Sequence, residues 1–378
     1  MPTDAPSDPL AALARHLRAF AREHAPDSLY AQLALLIAER PAALQLLLAA
    51  PPTQQRSTLL FAAIHDQLLA LRGEGAAEPP LAAYYPSLGG QRAPDTALGD
   101  ALDHFIADEA PALRDTIATR TTQTNEIGRC AVLWPALAEI SRHHGGQPLA
   151  LFDFGCSAGL NLGVDGCRIV YRRPDGTPLF EVGAEDAGAP RLSCRLLGGS
   201  PPSTAWQLPH RLGVDRAPVT LDDARGLRWL RACLWPEETA RLERLDRAVA
   251  LAQRSHFPVR AAEDGLAVLA TWLRELPPGV TPVLFNSWVL AYCSAEALAV
   301  HTARVQAMVQ AHGLVWLSAE DDVRLAATTG LAAEPMQRPD APGTPTYWSL
   351  TTRAAAGGIA NRLLARSHAH GEWLDWVA

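Results

Sequence analysis

The sequence predicts an α/β protein: an open mixed sheet with helices on both faces, preceded by an α-helical N-terminal domain and interrupted by a β-hairpin insertion. Three observations carry this expectation. The apolar run Leu149-Ala-Leu-Phe-Asp-Phe154 has the length of a buried strand, ends beside a carboxylate and passes into Gly155-Cys-Ser-Ala-Gly159. Between residues 211 and 318 short apolar runs alternate with helical patterns, which calls for parallel strands joined by crossover helices. Residues 1–120 return apolar positions almost only at helical spacing.

In chain order, Leu10-Ala-Ala-Leu13 with Leu17 and Phe20, Leu33 to Ile37, and Leu59-Leu60 with Ile64 and Leu68-Leu69 predict helices punctuated by Pro41, Pro51 and Pro52. The stretch Gly73 to Pro94, with Tyr84-Tyr85 and Gly89-Gly90, reads as a surface loop, and Leu102 to Ile117 as a further amphipathic helix. Cys130 to His143 predicts a helix kinked at Pro135. After the first strand and its turn, a helix start is expected. Arg168 to Val182 holds two β-forming runs around Pro-Asp-Gly, with another possible strand at Leu192 to Leu197, so about 165–210 reads as an insertion.

The sheet resumes at Arg211 to Pro218, followed by a helix capped near Asp222 and restarted at Pro236. Further strands are expected at Phe257 to Ala261, Pro282 to Trp288 and Gly313 to Ser318, with helices at 265–276 and 295–311. Thr346 to Thr352 and Ile359 to Ala369 read as an antiparallel pair at one sheet edge. Two domains follow, 1–120 as a helical cap and 121–378 as the sheet domain.

Bulk composition narrows the function classes. With 48% hydrophobic and 19% charged residues and a net charge of -7, the chain reads as a globular protein unsuited to nucleic acid or anionic membranes. Six cysteines without a C-x-x-C pair suggest neither a zinc site nor a disulfide framework, and fit a reducing cytoplasm. The first eight residues lack the basic and apolar parts of a signal peptide, and no apolar run reaches a membrane span of ~20 residues. All 33 basic residues other than histidine are arginine, which excludes a lysine-dependent phosphate loop.

The turn after the first strand allows different chemistries. A dinucleotide fingerprint would need glycines where Ser157 and Leu160 stand. Gly155-Cys-Ser157-Ala-Gly159 matches the G-x-S-x-G nucleophile elbow, with His368 and His370 late in the chain where a triad base would fall. Against a hydrolase, almost no strand signal precedes the serine. Read with Asp153 in front, the pattern D-x-G-x-S-x-G is similar to the D/E-x-G-x-G-x-G turn of S-adenosylmethionine-dependent methyltransferases, with Ser157 replacing the middle glycine.

Ligands of open sheets bind beyond the carboxyl ends of the strands, where Asp153, Asp215, Asp264 and Asn286 are expected. In a cofactor site Asp215 would accept ribose hydroxyls, Asp264 an adenine amino group, and Asp153 would orient the ammonium. The turn residues Gly155, Cys156, Ser157, Gly159 and Asn161 would line the same site. Trp288 and Tyr292 are the candidates for stacking a planar acceptor, and Glu126 and Arg129 for closing over the amino-acid end. Each carboxylate also has a plainer reading as a helix cap. His143-His144 has no partner at metal-ligand spacing, and His368 and His370 are expected as a surface pair; Trp229, Trp235, Trp272, Trp316 and Trp348 lie in apolar patterns that predict core.

The chain as a whole resembles an uncharacterised bacterial family, the domain-of-unknown-function family 2332. The resemblance rests on Thr124-Asn-Glu-Ile-Gly-Arg129, Phe152 to Leu162, Gly213-Val-Asp215, Trp229 to Glu237, Val289 to Tyr292, Val315 to Ser318 and His370-Gly-Glu-Trp373. That family carries no assigned reaction. The leading expectation is therefore a Rossmann-like, methyltransferase-type sheet binding S-adenosylmethionine, acting on a small-molecule substrate, with no metal. The alternatives are a serine hydrolase using Ser157 and a non-catalytic ligand-binding protein on the same fold.

Overall fold

In the computed structural model residues 8–75, 77–123, 125–333, 341 and 343–378 are described, so the N-terminal heptapeptide and Thr124 of the motifs above lie outside the described residues. The described residues contain eleven strands: β1 (Leu149–Phe154), β2 (Arg168–Arg172), β3 (Pro178–Gly183), β4 (Arg191–Gly198), β5 (His210–Asp215), β6 (Val259–Ala261), β7 (Thr281–Ser287), β8 (Val315–Glu320), β9 (Pro345–Arg353), β10 (Ile359–His368) and β11 (Trp373–Trp376). They form one mixed sheet in the order β3-β2-β4-β11-β10-β9-β8-β7-β1-β5-β6. The chain divides into two compact units, residues 1–124 with 223–243, and residues 125–222 with 244–378.

The first unit is helical. Pro9–Glu23, Leu29–Ile37, Pro41–Leu47, Ser57–Gly73 and Leu98–Thr119 are its longer N-terminal helices, and Ala224–Ala232 joins them from far along the chain. Their starts follow local chemistry: Asp8 accepts the N–H of Leu10, Ser28 that of Ala31, and prolines open the first and third helices, where no N–H is needed. Leu17, Leu33, Phe61, Leu102 and Phe105 fill the core, each such burial stabilising by roughly 1.5–3 kcal/mol. Trp229 enters the same core and donates its indole N–H to the carbonyl of Thr121 at 2.9 Å. Glu237 Oε1 accepts the N–H of Leu29 at 2.9 Å, and Arg228 grips Asp66 with two bonds of 2.9 and 3.1 Å.

One expectation fails in this unit. The stretch Gly73 to Pro94 is not a surface loop throughout: Leu81, Tyr84 and Leu88 are buried on two 3-10 turns, Pro80–Tyr84 and Pro86–Leu88, and Tyr85 is buried between them. Their spacing of three and four residues outweighs the flanking glycines and prolines that suggested a loop.

In the second unit β1 is the hub. It pairs in parallel with β5 on one side and β7 on the other, and β6 and β8 extend the parallel core outward. Helices Gly265–Glu275 and Ala295–His312 follow β6 and β7. Phe152, Leu212, Leu284 and Trp316 share one buried face with Leu269 and Val305 of those helices. The antiparallel β9 and β10 are not an edge pair as expected, because β11, β4, β2 and β3 continue the sheet beyond them. The hairpin insertion thus adds its strands to the far end of the same sheet. β11 is only four residues long, too short for a clear period-2 signal.

Candidate functional site

Strand succession runs from β1 outward through β5 to β6, then returns to the other side of β1 at β7 and β8, so the order reverses at β1. A crevice beyond the carboxyl ends at such a reversal is where open sheets place ligands. Asp153 stands there, 2% exposed, in register with Gly213 of β5. Asp215, two residues further along β5, therefore lies on the same face of the sheet.

The turn after β1 is built from left-handed residues: Gly155 at φ 76°, Ser157 at 52° and Gly159 at 70°. Glycine is required at 155 and 159 twice over, since a Cβ would also lie 2.5 Å from Val289 Cγ2 and 2.6 Å from Val259 Cγ2 respectively. Ser157 has no such freedom and is held by its neighbours. Its N–H donates to Asp215 Oδ2 at 2.9 Å and its Oγ accepts from the Asn125 amide at 2.5 Å. Asp215 Oδ1 accepts the N–H of Ala217 at 2.9 Å. Cys156 packs on Gly213, where a Cβ would meet its sulfur at 2.7 Å, and burial pushes its thiol far up, so it is no thiolate nucleophile. Asn161 Oδ1 accepts from the Cys130 thiol at 3.6 Å.

The helix expected after this turn is absent as an α-helix. Residues Leu160–Gly166 form a 3-10 run with non-helical backbone at Gly163, where Phe257 and Leu251 press in to 2.9 and 3.0 Å of a would-be Cβ. Gly163, Gly166 and the nearby hairpin strand leave no length for an amphipathic helix, so no α-helix N-terminus follows this turn. Beside the turn lies a groove of about 280 Å³, bordered by Ala158, Val219, Leu221, His256, Phe257 and Val259.

Burial dominates the electrostatics. Desolvation and then the neighbouring Asp215 push Asp153 up to about 7, with Arg129 pulling the other way. Among the described residues Asp153 Oδ2 has no hydrogen-bond partner. Arg129 is itself buried on the 3-10 turn Ile127–Arg129 and donates through Nε to the carbonyl of Ala369 at 3.1 Å. Glu126, also buried, accepts the N–H of Gly128 at 2.8 Å.

Asn286 does not converge with Asp153. It stands opposite Phe154 on β1 and thus on the other face, where it donates to Ser318 Oγ at 3.0 Å and Glu320 Oε1 at 2.8 Å, and accepts from Trp316 at 2.6 Å. Glu320 is 2% exposed and its Oε1 also accepts the N–H groups of Val289 and Leu290 at 3.2 Å. Burial raises it to about 7 against the pull of those hydrogen bonds and of Arg129. The sequence pattern ends this strand at Ser318, whereas β8 runs on to Glu320, which shares with Asp153 the place of a carboxylate at the end of an apolar strand.

The remaining candidates divide. Asp264 caps helix Gly265–Glu275 through the N–H of Ala267 at 3.0 Å and holds Arg304 at 3.0 and 3.1 Å, so it serves as cap and ion-pair partner. Trp288 occupies φ 57°, rare for a bulky side chain, and donates to Thr346 Oγ1 at 2.9 Å. Tyr292 is 62% exposed. His368 and His370 are not on an edge strand: His368 ends β10 and His370 lies in the turn to β11, with Glu372 nearby.

Among the described residues no helix is long and apolar enough to cross a membrane. No curated protein matches the chain. One family does, over residues 14–376, nearly the whole length: the chain belongs to the family described as "Uncharacterized protein conserved in bacteria (DUF2332)".

Proposed function

We propose that the sheet-bearing unit binds S-adenosylmethionine beyond the carboxyl ends of β1 and β5 and transfers its methyl group to a small-molecule acceptor. The observation that carries this reading is the buried carboxylate of Asp153, with one unpartnered oxygen at the reversal point of the sheet. An ammonium brought beside it would ionise the carboxyl and satisfy that oxygen, and Arg129 suits the adjoining carboxylate of an amino-acid moiety.

Asp215 fits the ribose. Each of its oxygens takes one backbone N–H, and a carboxylate oxygen accepts two bonds, which leaves capacity for two hydroxyls. The groove between Ala158, Val219 and Phe257 suits a flat heterocycle, a role in which Asp264, tied to Arg304, has no part. The bound cofactor supplies an electrophilic methyl group; the chain supplies alignment, which by itself accounts for much of the acceleration of an in-line displacement. The exposed ring of Tyr292 and the strained Trp288 are the proposed acceptor contacts. Two features depart from the usual pattern: the 3-10 run after β1, and β9 and β10 in direct antiparallel succession beside β8.

The left-handed Ser157 favours a second reading, hydrolysis through a nucleophile elbow. Its Oγ faces the amide of Asn125, which donates a hydrogen bond and takes no proton, so the reading ranks lower. Calorimetric titration with S-adenosylmethionine tests the proposal, with Asp153→Asn and Asp215→Asn beside the unaltered chain. Saturable micromolar binding weakened in both variants supports it. No binding to the unaltered chain overturns it, and labelling of Ser157 by a serine-hydrolase probe would move the assignment to the second reading. Cofactor binding without turnover on any acceptor would leave a ligand-binding protein on this fold.

A further inference from the structure

A second site lies in the turn from β10 to β11. His368, His370 and Glu372 each present one ligand atom, and these atoms lie within 4.8 Å of one another. We propose that they bind a divalent first-row transition ion of the zinc class, at a site separate from Asp153.

Two imidazole nitrogens and one carboxylate oxygen form a borderline donor set. It suits zinc, iron(II) or cobalt(II), and neither the all-oxygen cages of calcium nor the thiolate sites of soft ions. Bonds of 2.0–2.2 Å in a tetrahedral site put ligand atoms roughly 3.3 Å apart, so side-chain rotation must close the set. Glu372 can make that movement because its side chain is 52% exposed, while His368 at 17% is held. His368 Nδ1 stands 3.9 Å from Glu372 Oε2 and accepts the N–H of His370 at 3.3 Å, a bond that an ion at Nδ1 would replace. Three protein ligands leave a position open to water or substrate.

The backbone beneath is closely packed, as a preorganised site requires. Gly371, at φ 74°, donates its N–H to His368 O at 3.0 Å, and a Cβ on it would meet Gly128 O at 2.0 Å. A Cβ on Gly128 would in turn meet His370 O at 2.1 Å. Between the two histidines, Ala369 O holds Arg129 at 3.1 Å. An ion on this turn therefore fixes the carbonyl that anchors Arg129, the guanidinium that acts on Asp153.

Cobalt(II) titration of the full chain, followed by its visible d–d bands and by competition with zinc, tests the site. One ion per chain is expected, with a rise in melting temperature. His370→Ala and Glu372→Gln should each weaken binding at least about 100-fold, since even outer-shell partners of a metal cost 10 to 100-fold. His143→Ala with His144→Ala should leave it unchanged. Glu372→Gln alters an exposed side chain, so the fold survives it, and circular dichroism checks His370→Ala. Absence of the bands at a tenfold excess of cobalt, or their retention in both variants, overturns the proposal and leaves a His–Glu ion pair only.

Discussion

The N–H of Ser157 donates to Asp215 Oδ2 at 2.9 Å, which ties the turn after β1 to the end of β5 and holds a serine in the left-handed region. That backbone conformation costs a non-glycine residue about 1–2 kcal/mol, so a comparable interaction must hold it. Asp215→Ala removes the acceptor for two N–H groups, of Ser157 and Ala217. A loss of about 1–3 kcal/mol is expected, read as a lower urea midpoint at unchanged slope. Asp215→Asn keeps one acceptor and should lose less. A drop in cofactor affinity in Asp215→Ala alone would thus report on the turn, and one in both variants on the carboxylate.

Glu320 gives a pH prediction. Its folded value is raised to about 7, so between the unfolded value near 4.5 and 7 the folded chain binds more protons, and stability falls as pH rises through that window. Glu320→Gln keeps an acceptor for Asn286, Val289 and Leu290 and removes the buried charge. The variant should match the unaltered chain near pH 5 and exceed it by roughly 2–3 kcal/mol at pH 8. Denaturant melts at the two pH values check this; a variant less stable at pH 8 would show the charge to be satisfied.

His301 has the opposite sign. It lies near the rings of Phe154 and Trp316, its Nε2 without a partner among the described residues, and burial lowers it from 6.5 to about 4. Between those values the unfolded chain takes up a proton that the folded chain refuses, so stability is lost as pH falls below 6.5. His301→Phe removes the sensitivity. Relative to the unaltered chain it should gain up to about 2 kcal/mol on going from pH 7 to pH 5.

Legibility in the sequence followed burial pattern. The hub strand, its turn and the alternating strands and helices from 211 onward are strong local signals, because buried parallel strands read as unbroken apolar runs. That logic puts Asp153, Asp215, Asp264 and Asn286 at strand ends, of which Asp264 serves as a helix cap and the partner of Arg304. What one strand end cannot reveal is which face a side chain takes, and a single register step put Asn286 opposite Phe154, away from Asp153. Arg129 and Glu126 are buried and charged, which no local pattern announces. The pairing of β11 with β4 is equally non-local, since strands 175 residues apart in sequence, by Trp373 and Gly198, meet only in the assembled sheet.

The same non-local logic governs residues 223–243, whose helix Ala224–Ala232 belongs with the N-terminal helices. Trp229 is 2% exposed in their core, and Arg228 pairs with Asp66, whose side chain is 8% exposed. If this segment completes one cooperative core, Trp229→Ala should cost about 3–5 kcal/mol and raise amide exchange throughout Ser57–Gly73 and Leu98–Thr119. Asp66→Ala leaves a partly buried guanidinium unpaired and should cost about 1–3 kcal/mol with the same exchange pattern. Hydrogen exchange by mass spectrometry on the full chain separates the cases. Faster exchange confined to 223–243 would mean that the segment merely lies on a core that is complete without it, and the indole bond to Thr121 would then be a local anchor rather than part of a cooperative unit.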